Sequence, residues 1–333
     1  MGLKNLCYGD RIVEDIETML PRSFAVVTAP EPWMVVEQRL KGKDYQVVEV
    51  AGMDEHVVSD LERTVYPVEA VLGVGGGAAM DMAKYISWKR RIPLFLLPSI
   101  ASVDAAVTTS IAVRVEGKVR YIGEAVSEVV GIDFPLIRSA PIHLNRAGVG
   151  DILSIHTALW DWKLASDRVN ERYSKDFASI VASMPLKMDE KARDLRDVTD
   201  DGIRLLFDLY NEETDVLERW GNSRPEEGSE HFFAYALEYL TGQEFVHGEL
   251  VCLGVYVSSH IQGNRSEWVY DFINKVGVRF RLTELDISSE SFRKCLLTLE
   301  DYCEAEGFFY TVINERRIDD QLVDDIMEKL DII

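Results

Sequence analysis

Along the first 140 residues, short apolar runs alternate with stretches whose apolar positions recur at helical spacing. Residues 24–28, 45–50, 70–74, 94–97 and 128–132 read as strands. Helices are expected over 31–40, over 54–66 with Asp54 as N-cap, and from the glycines at 75–77 to about residue 89. The run 94–97 is wholly apolar, the pattern of a strand covered on both faces. Strand and helix alternating in this way predict a parallel sheet wrapped by helices. Residues 111–122, split at Glu116-Gly117-Lys118, read as a β-hairpin attached to that core. After Pro141 the strand-like alternation fades, and Ile152, Ile155, Leu159 and Trp162 keep a helical period. The polar stretch 212–230, with Gly221, Pro225 and Gly228, is expected to contain a loop. The pattern therefore predicts an α/β parallel-sheet domain over 1–143 and an all-α domain over 144–333.

Composition narrows what such a chain can do. An apolar fraction of 47% in 333 residues is that of a folded protein, which excludes disorder. The 36 Lys+Arg against 57 Asp+Glu give a net charge of −21, which argues against a nucleic-acid or anionic-membrane binder. A small anionic substrate remains admissible, because the field in a pocket is set locally. Cys7, Cys252, Cys295 and Cys303 form no CxxC pair, so a reduced cytoplasmic chain is expected. Acidic residues follow the N-terminus too early for a signal peptide. The apolar stretch 92–113 carries Pro93, Pro98 and Asp104, which makes it a poor spanning helix.

Two places carry candidate chemistry. Gly75-Gly76-Gly77 stands where a strand hands over to a helix, and there the helix N–H groups and dipole favour a pyrophosphate. The spacing is not the GxGxxG of the dinucleotide fingerprint, and a purely structural turn is an equal reading. In the helical half, Asp151 stands at a helix start, where a carboxylate can simply cap. His231 and His247 stand 16 positions apart, with Thr241-Gly242-Gln243 breaking the helical pattern between them. A buried, satisfied histidine is the ordinary reading of either one. Together, one carboxylate and two imidazoles suit Zn²⁺ or Fe²⁺ and leave coordination positions for a substrate. A Lewis acid beside a dinucleotide is what alcohol oxidation by hydride transfer requires.

Several stretches in order resemble one family. GGGAAMDMAK at 75–84 is similar to a GGGSxxDxAK motif, PSIASVD at 98–104 to PTTASHD, and AGVGDILSIHTALWDWKLA at 147–165 to AGxGDxxSxxTAxxDWxLA. SRPEEGSEHFFAYAL from 223, followed by HGE at 247, resembles the region that holds two metal-ligand histidines at the same separation. These motifs resemble the glycerol-1-phosphate dehydrogenases, within the superfamily of iron-type alcohol dehydrogenases, glycerol dehydrogenases and dehydroquinate synthases. The resemblance implies a dehydroquinate synthase-like fold, with a dinucleotide-binding α/β domain, a helical metal- and substrate-binding domain, and the reaction cleft between them. It implies that Gly75, Gly76, Gly77, Asp81, Ser99, Ser102 and Thr108 contact NAD or NADP and that Asp104 holds substrate hydroxyls. It makes Asp151, His231 and His247 the ligands of a zinc ion, with Fe²⁺ or Ni²⁺ as alternatives. The family reaction interconverts dihydroxyacetone phosphate and sn-glycerol 1-phosphate, and the resemblance also suggests a homo-oligomer, a dimer or larger.

The chain departs from the family at informative places. Ile100 stands where the family has the second Thr of a pair, Val103 where it has His, and Ala78 where it has Ser. Tyr235 replaces a substrate-contacting His four residues after His231, so a phenol titrating near 10 stands where an imidazole titrates near 6.5. Tyr235 is the candidate proton-handling group, with a space-filling role as the equal alternative. The expectation is a metal- and NAD(P)-dependent dehydrogenase of a small ketone or aldehyde, phosphorylated or not. A cyclase that regenerates its NAD, and a non-catalytic descendant of the fold, are the alternatives. Arg146, Lys163 and Arg224 flank the motifs as candidate anion partners, although each is more simply read as paired with a nearby carboxylate.

Overall fold

The computed structural model describes residues 4–41 and 44–331, and the chain divides into two compact units, Gly2–Asn145 and Arg146–Ile333. In the first unit the strands are β1 (Leu6–Gly9), β2 (Ser23–Thr28), β3 (Asp44–Glu49), β4 (Ala70–Gly75), β5 (Leu94–Pro98), β6 (Ser110–Val115), β7 (Lys118–Glu124) and β8 (Val129–Asp133). Six of them form one parallel sheet in the order β1-β8-β5-β4-β2-β3. The central strands β4, β5 and β8 are buried at every position, in keeping with their apolar sequences, and Asp133, the charged residue at the end of β8, is paired with Arg39. β6 and β7 form a separate antiparallel pair around Glu116-Gly117.

The helices of this unit are α1 (Ile12–Met19), α2 (Pro30–Val36), α3 (Glu55–Thr64), α4 (Gly77–Arg90) and α5 (Phe134–Arg138). α2 gives way after Val36 to a tight 3₁₀ turn, Glu37–Arg39, where the Arg39 guanidinium reaches Glu14 and Asp133, each at 2.7 Å. Asp54 does stand at the N-cap of α3, but its side chain caps nothing. α4 is buried throughout Ala79–Ser87, enclosed by β4, β5 and the hairpin.

α6 (Ile142–Ala147) leads into α7 (Val149–Val169), and the remaining chain is helical. There follow α8 (Lys175–Ala182), α9 (Met184–Glu190), α10 (Ala192–Arg196), α11 (Asp200–Trp220), α12 (Ser229–Thr241) and α13 (His247–Gln262). α14 (Ser266–Val276), α15 (Ser289–Leu297), α16 (Leu299–Glu306), α17 (Val312–Glu315) and α18 (Asp320–Asp331) complete it. α11 runs through most of the polar stretch, and the loop expected there is confined to 221–228. α13, buried at all but two of its positions, packs against α7, α12 and α14 and is the central rod of this unit. Among the described residues, no helix is long and apolar enough to cross a membrane.

Candidate metal centre and glycine turn

Asp151, His231 and His247 each come from the first turn of their helix: α7, α12 and α13. Two close helix approaches bring those turns together. A Cβ on Gly150 would fall 2.5 Å from the Gly248 carbonyl oxygen, so α7 and α13 meet backbone to backbone one residue from Asp151 and from His247. A Cβ on Gly254 would fall 2.3 Å from the Glu230 carbonyl oxygen, which sets α13 equally close to α12 beside His231. Each of the three side chains offers a ligand atom, and these atoms lie within 4.8 Å of one another. His247 Nε2 is 3.4 Å from Asp151 Oδ1, and the two imidazole centroids are 5.5 Å apart. Asp151 and His231 are buried, whereas the His247 side chain is 36% exposed and gives the cluster its open side.

The surroundings suit a cation despite three helix N-termini, whose positive dipole ends oppose one. Glu230, fully buried, accepts from the Gly228 amide (2.6 Å) and the Thr157 hydroxyl (2.8 Å). Its Oε1 also meets His231 Nδ1 at 3.1 Å. A carboxylate on the far nitrogen fixes the ring and leaves Nε2 for a metal, an arrangement typical of ligating histidines. Burial alone depresses the His231 pKa, but the hydrogen bond and charge of Glu230, with Glu227 and Asp151 behind them, raise it overall. The same negative field that attracts a proton there attracts a metal ion. The donor set and its spacing therefore fit a divalent cation.

Tyr235 lies one helical turn beyond His231, with ring centroids 6.1 Å apart, and its hydroxyl donates to Glu227 Oε1 at 2.8 Å. Glu227 Oε2 in turn accepts from the Ser223 hydroxyl. Of the flanking cations, Arg224 is wholly buried and pairs with Glu171 at 2.9 Å, and Lys163 pairs with Asp167. Arg146 donates to the Arg196 carbonyl at 2.8 Å. The carboxylate reading holds for Arg224 and Lys163. Sequence reasoning passed over Glu230, Glu227 and Asp161, the last a buried carboxylate whose pKa is pushed up to about 6 by burial and by the charge of Glu230. A signal existed: Asp161 is an acid inside the apolar run ALWDW, and Glu230 directly precedes a histidine.

In the first unit, the chain leaves β4 through Gly75 at φ +152°, a conformation that disfavours any side chain, and α4 begins at Gly77 with Gly76 as N-cap. The loop after β5 closes over this turn. The Ser99 amide donates to the Gly75 carbonyl (2.8 Å), and Asn145 accepts from the Ala101 amide at 2.9 Å. Cβ atoms on Gly76 and Gly77 would meet Ile100 at 2.7 Å and Val103 at 3.2 Å. Two of the departures from the family motif thus pack directly on the glycines. Ser99 and Ser102 are buried beside this turn, and Asp104 opens a 3₁₀ turn, Asp104–Ala106. Asp81 pairs with the fully buried Lys84 at 2.7 Å, and Lys84 also donates to the carbonyls of Thr108 and Ser110. Asp81 and Thr108 are thereby joined through one lysine. The amides of the first turn of α4 have no partners within the helix, which is the general property that suits a helix N-terminus to an anion.

The fold and the cluster define a class, and comparison with known proteins agrees with it. Residues 30–141 match the family model described as iron-containing alcohol dehydrogenase. A probable glycerol dehydrogenase from Sinorhizobium meliloti superimposes with a TM-score of 0.75 at 16% identity, covering 99% of this chain and 97% of that one. A sulfoacetaldehyde reductase from Bifidobacterium kashiwanohense, solved in complex with NAD⁺, gives 0.65 at 16% identity over 99% and 97%. At the level of sequence, a glycerol-1-phosphate dehydrogenase [NAD(P)⁺] of Sulfurisphaera tokodaii is 29% identical over 97% of this chain and 94% of its own. The chain is similar over nearly its whole length to glycerol-1-phosphate dehydrogenases [NAD(P)⁺] and has the fold of the iron-containing alcohol dehydrogenases.

Proposed function

We propose that the chain is a metal- and NAD(P)-dependent dehydrogenase that reduces dihydroxyacetone phosphate, or a close analogue, to its alcohol and runs the reverse oxidation. The observation that carries this reading is the cluster of Asp151, His231 and His247, one carboxylate and two imidazoles with ligand atoms within 4.8 Å. These three would hold the ion, for which we propose zinc, with Fe²⁺ or Ni²⁺ also suited to the donor set. Such an ion would supply Lewis acidity favouring the alkoxide of the substrate oxygen, and a bound nicotinamide would supply the hydride chemistry. Glu230 holds His231 in one tautomer. The Tyr235 hydroxyl donates a hydrogen bond to Glu227, which leaves its oxygen lone pairs to accept from a substrate hydroxyl. Asp104 would hold the substrate hydroxyls. Gly75, Gly76, Gly77, Asp81, Ser99, Ser102 and Thr108 would form the cofactor site, the three glycines through the backbone of the strand-to-helix turn and Asp81 by way of Lys84. We propose further a homo-oligomer, a dimer or larger, working in the cytoplasm on a small-molecule substrate, with no nucleic-acid partner.

The test is the absorbance of NADH or NADPH on adding dihydroxyacetone phosphate to zinc-loaded protein. Net oxidation of the cofactor is expected. His247→Ala should lose bound metal and turnover together, and Tyr235→Phe should keep its metal while kcat falls by roughly 10². Turnover with catalytic cofactor and no net change in NADH would favour the cyclase. Wild-type metal content in His247→Ala would remove the metal assignment.

A further inference from the structure

Over the whole chain the acids outnumber the bases, 57 to 36, yet one cavity in the helical unit reverses the balance. It has a volume of about 410 Å³ and is lined by Arg193, Arg196, Lys275 and a single carboxylate, Asp197. A fourth cation adjoins it, because Arg146 donates its Nε–H to the Arg196 carbonyl and lies against Gly277, two residues from Lys275. Lys275 pairs with Asp189 at 2.7 Å, and Arg193 lies 3.6 Å from Asp197. Arg196 is different: its guanidinium makes no hydrogen bond or ion pair among the described residues. Burial depresses the pKa of Arg146 and the charge of Arg196 lowers it further, with the charge of Asp197 opposing them, so the two guanidiniums repel one another at the rim and Asp197 offsets part of that. An anion placed between them relieves that repulsion.

The support under these residues is closely packed. Arg193, Arg196 and Asp197 lie on and just after α10, whose end is fastened to α11. The Thr199 amide donates to the Asp194 carbonyl at 3.0 Å, its hydroxyl bonds the Asp194 carboxylate, and the same hydroxyl accepts from the Gly202 amide. A Cβ on Gly202 would fall 2.3 Å from the Asp194 carbonyl oxygen, so the two helices are in backbone contact. Between them Val198, buried and β-branched, has φ +50°, a left-handed conformation that such a residue rarely adopts. The fold thus holds two arginines over the cavity at the expense of local strain, an observation that points toward function more than toward stability.

We propose that Arg193, Arg196 and Lys275 form a binding site for a small phosphate-bearing anion, either inorganic phosphate or a phosphate monoester. Guanidiniums match the oxygens of a phosphate in pairs, and the lysine adds a point charge. The inference does not rest on the dehydrogenase reading. It is tested by calorimetric titration of the full metal-loaded chain with inorganic phosphate and, separately, with methyl phosphate, at ionic strength held constant with chloride. Saturable binding is expected, weakened about tenfold or more in Arg196→Gln and in Lys275→Gln and unchanged in Lys89→Gln, a surface cation of the other unit. Tighter binding of one titrant identifies the source of the phosphate. Circular dichroism checks that Arg196→Gln, a change at an exposed side chain, stays folded. Absence of saturable binding of either titrant, or binding undiminished in Arg196→Gln, overturns the proposal, whatever the turnover measurements give.

Discussion

The carboxylate of Asp161 is held by three donors: the amide and hydroxyl of Ser229 at 2.9 and 2.6 Å, and the amide of Val312 at 2.8 Å. Burial still prevails, and with Glu230 nearby it lifts the pKa from 3.8 to about 6. The native state therefore binds this proton more tightly than the unfolded chain, so stability from this group falls as pH rises between those two values. The unfolding free energy of the wild type minus that of Asp161→Asn should drop by about 2 kcal/mol from pH 4 to pH 7 and be level above that. A difference that stays flat across the range would mean that the carboxylate is ionised throughout. The sequence points to chemistry-bearing types such as histidine and glycine at such a site. It is less open about Asp161 and Glu230, because their roles depend on which backbone amides reach them, and those amides come from segments up to 151 positions away.

At the scale of elements, the metal cluster is a consequence of helix spacing. Replacing Gly150 by Ala puts a methyl group 2.5 Å from the Gly248 carbonyl oxygen, and backbone cannot swing aside as a side-chain end can. The helices must part, which should cost about 1–3 kcal/mol. It should also weaken zinc binding, because Asp151 and His247 lie one residue from the contact. Thermal unfolding and zinc titration of Gly150→Ala read both effects. A variant that is destabilised but binds zinc with unchanged affinity would show that the cluster does not depend on this approach. The same dependence on packing explains what the hydropathy pattern left hidden. Strands 24–28, 70–74 and 94–97 announce themselves by unbroken apolar runs because they lie inside the sheet. β1, LCYG, is half-buried at all four positions on the sheet edge, too short and mixed to stand out. The helical expectation over 31–40 overran α2 because periodicity does not register the pull of Glu14 and Asp133 on Arg39.

At the scale of the whole molecule, the proposed chemistry is divided along the chain. Every residue assigned to the cofactor lies before Asn145, and every proposed metal ligand lies after Arg146. The change from alternating strands and helices to helices alone is visible in the sequence. The strand order is not, since identical runs are compatible with several parallel arrangements. Each group of residues is supported within its own unit: the glycine turn by Ser99, Ile100 and Asn145, and the metal cluster by Gly150, Gly254 and Glu230. Loss of one ligand set should therefore leave the other intact. His247→Ala removes a partly exposed imidazole, so the variant should fold, fail to retain zinc and lose turnover. It should nevertheless bind NADH within about threefold of the wild-type affinity, measured by nicotinamide fluorescence, since no donor to the dinucleotide has been changed. Gly76→Ala should do the converse, with normal zinc content and weakened NADH binding, because its new methyl presses on Ile100 at the turn. If zinc and NADH are lost together in either variant, the two sites are energetically one, and the separate assignment of their residues fails.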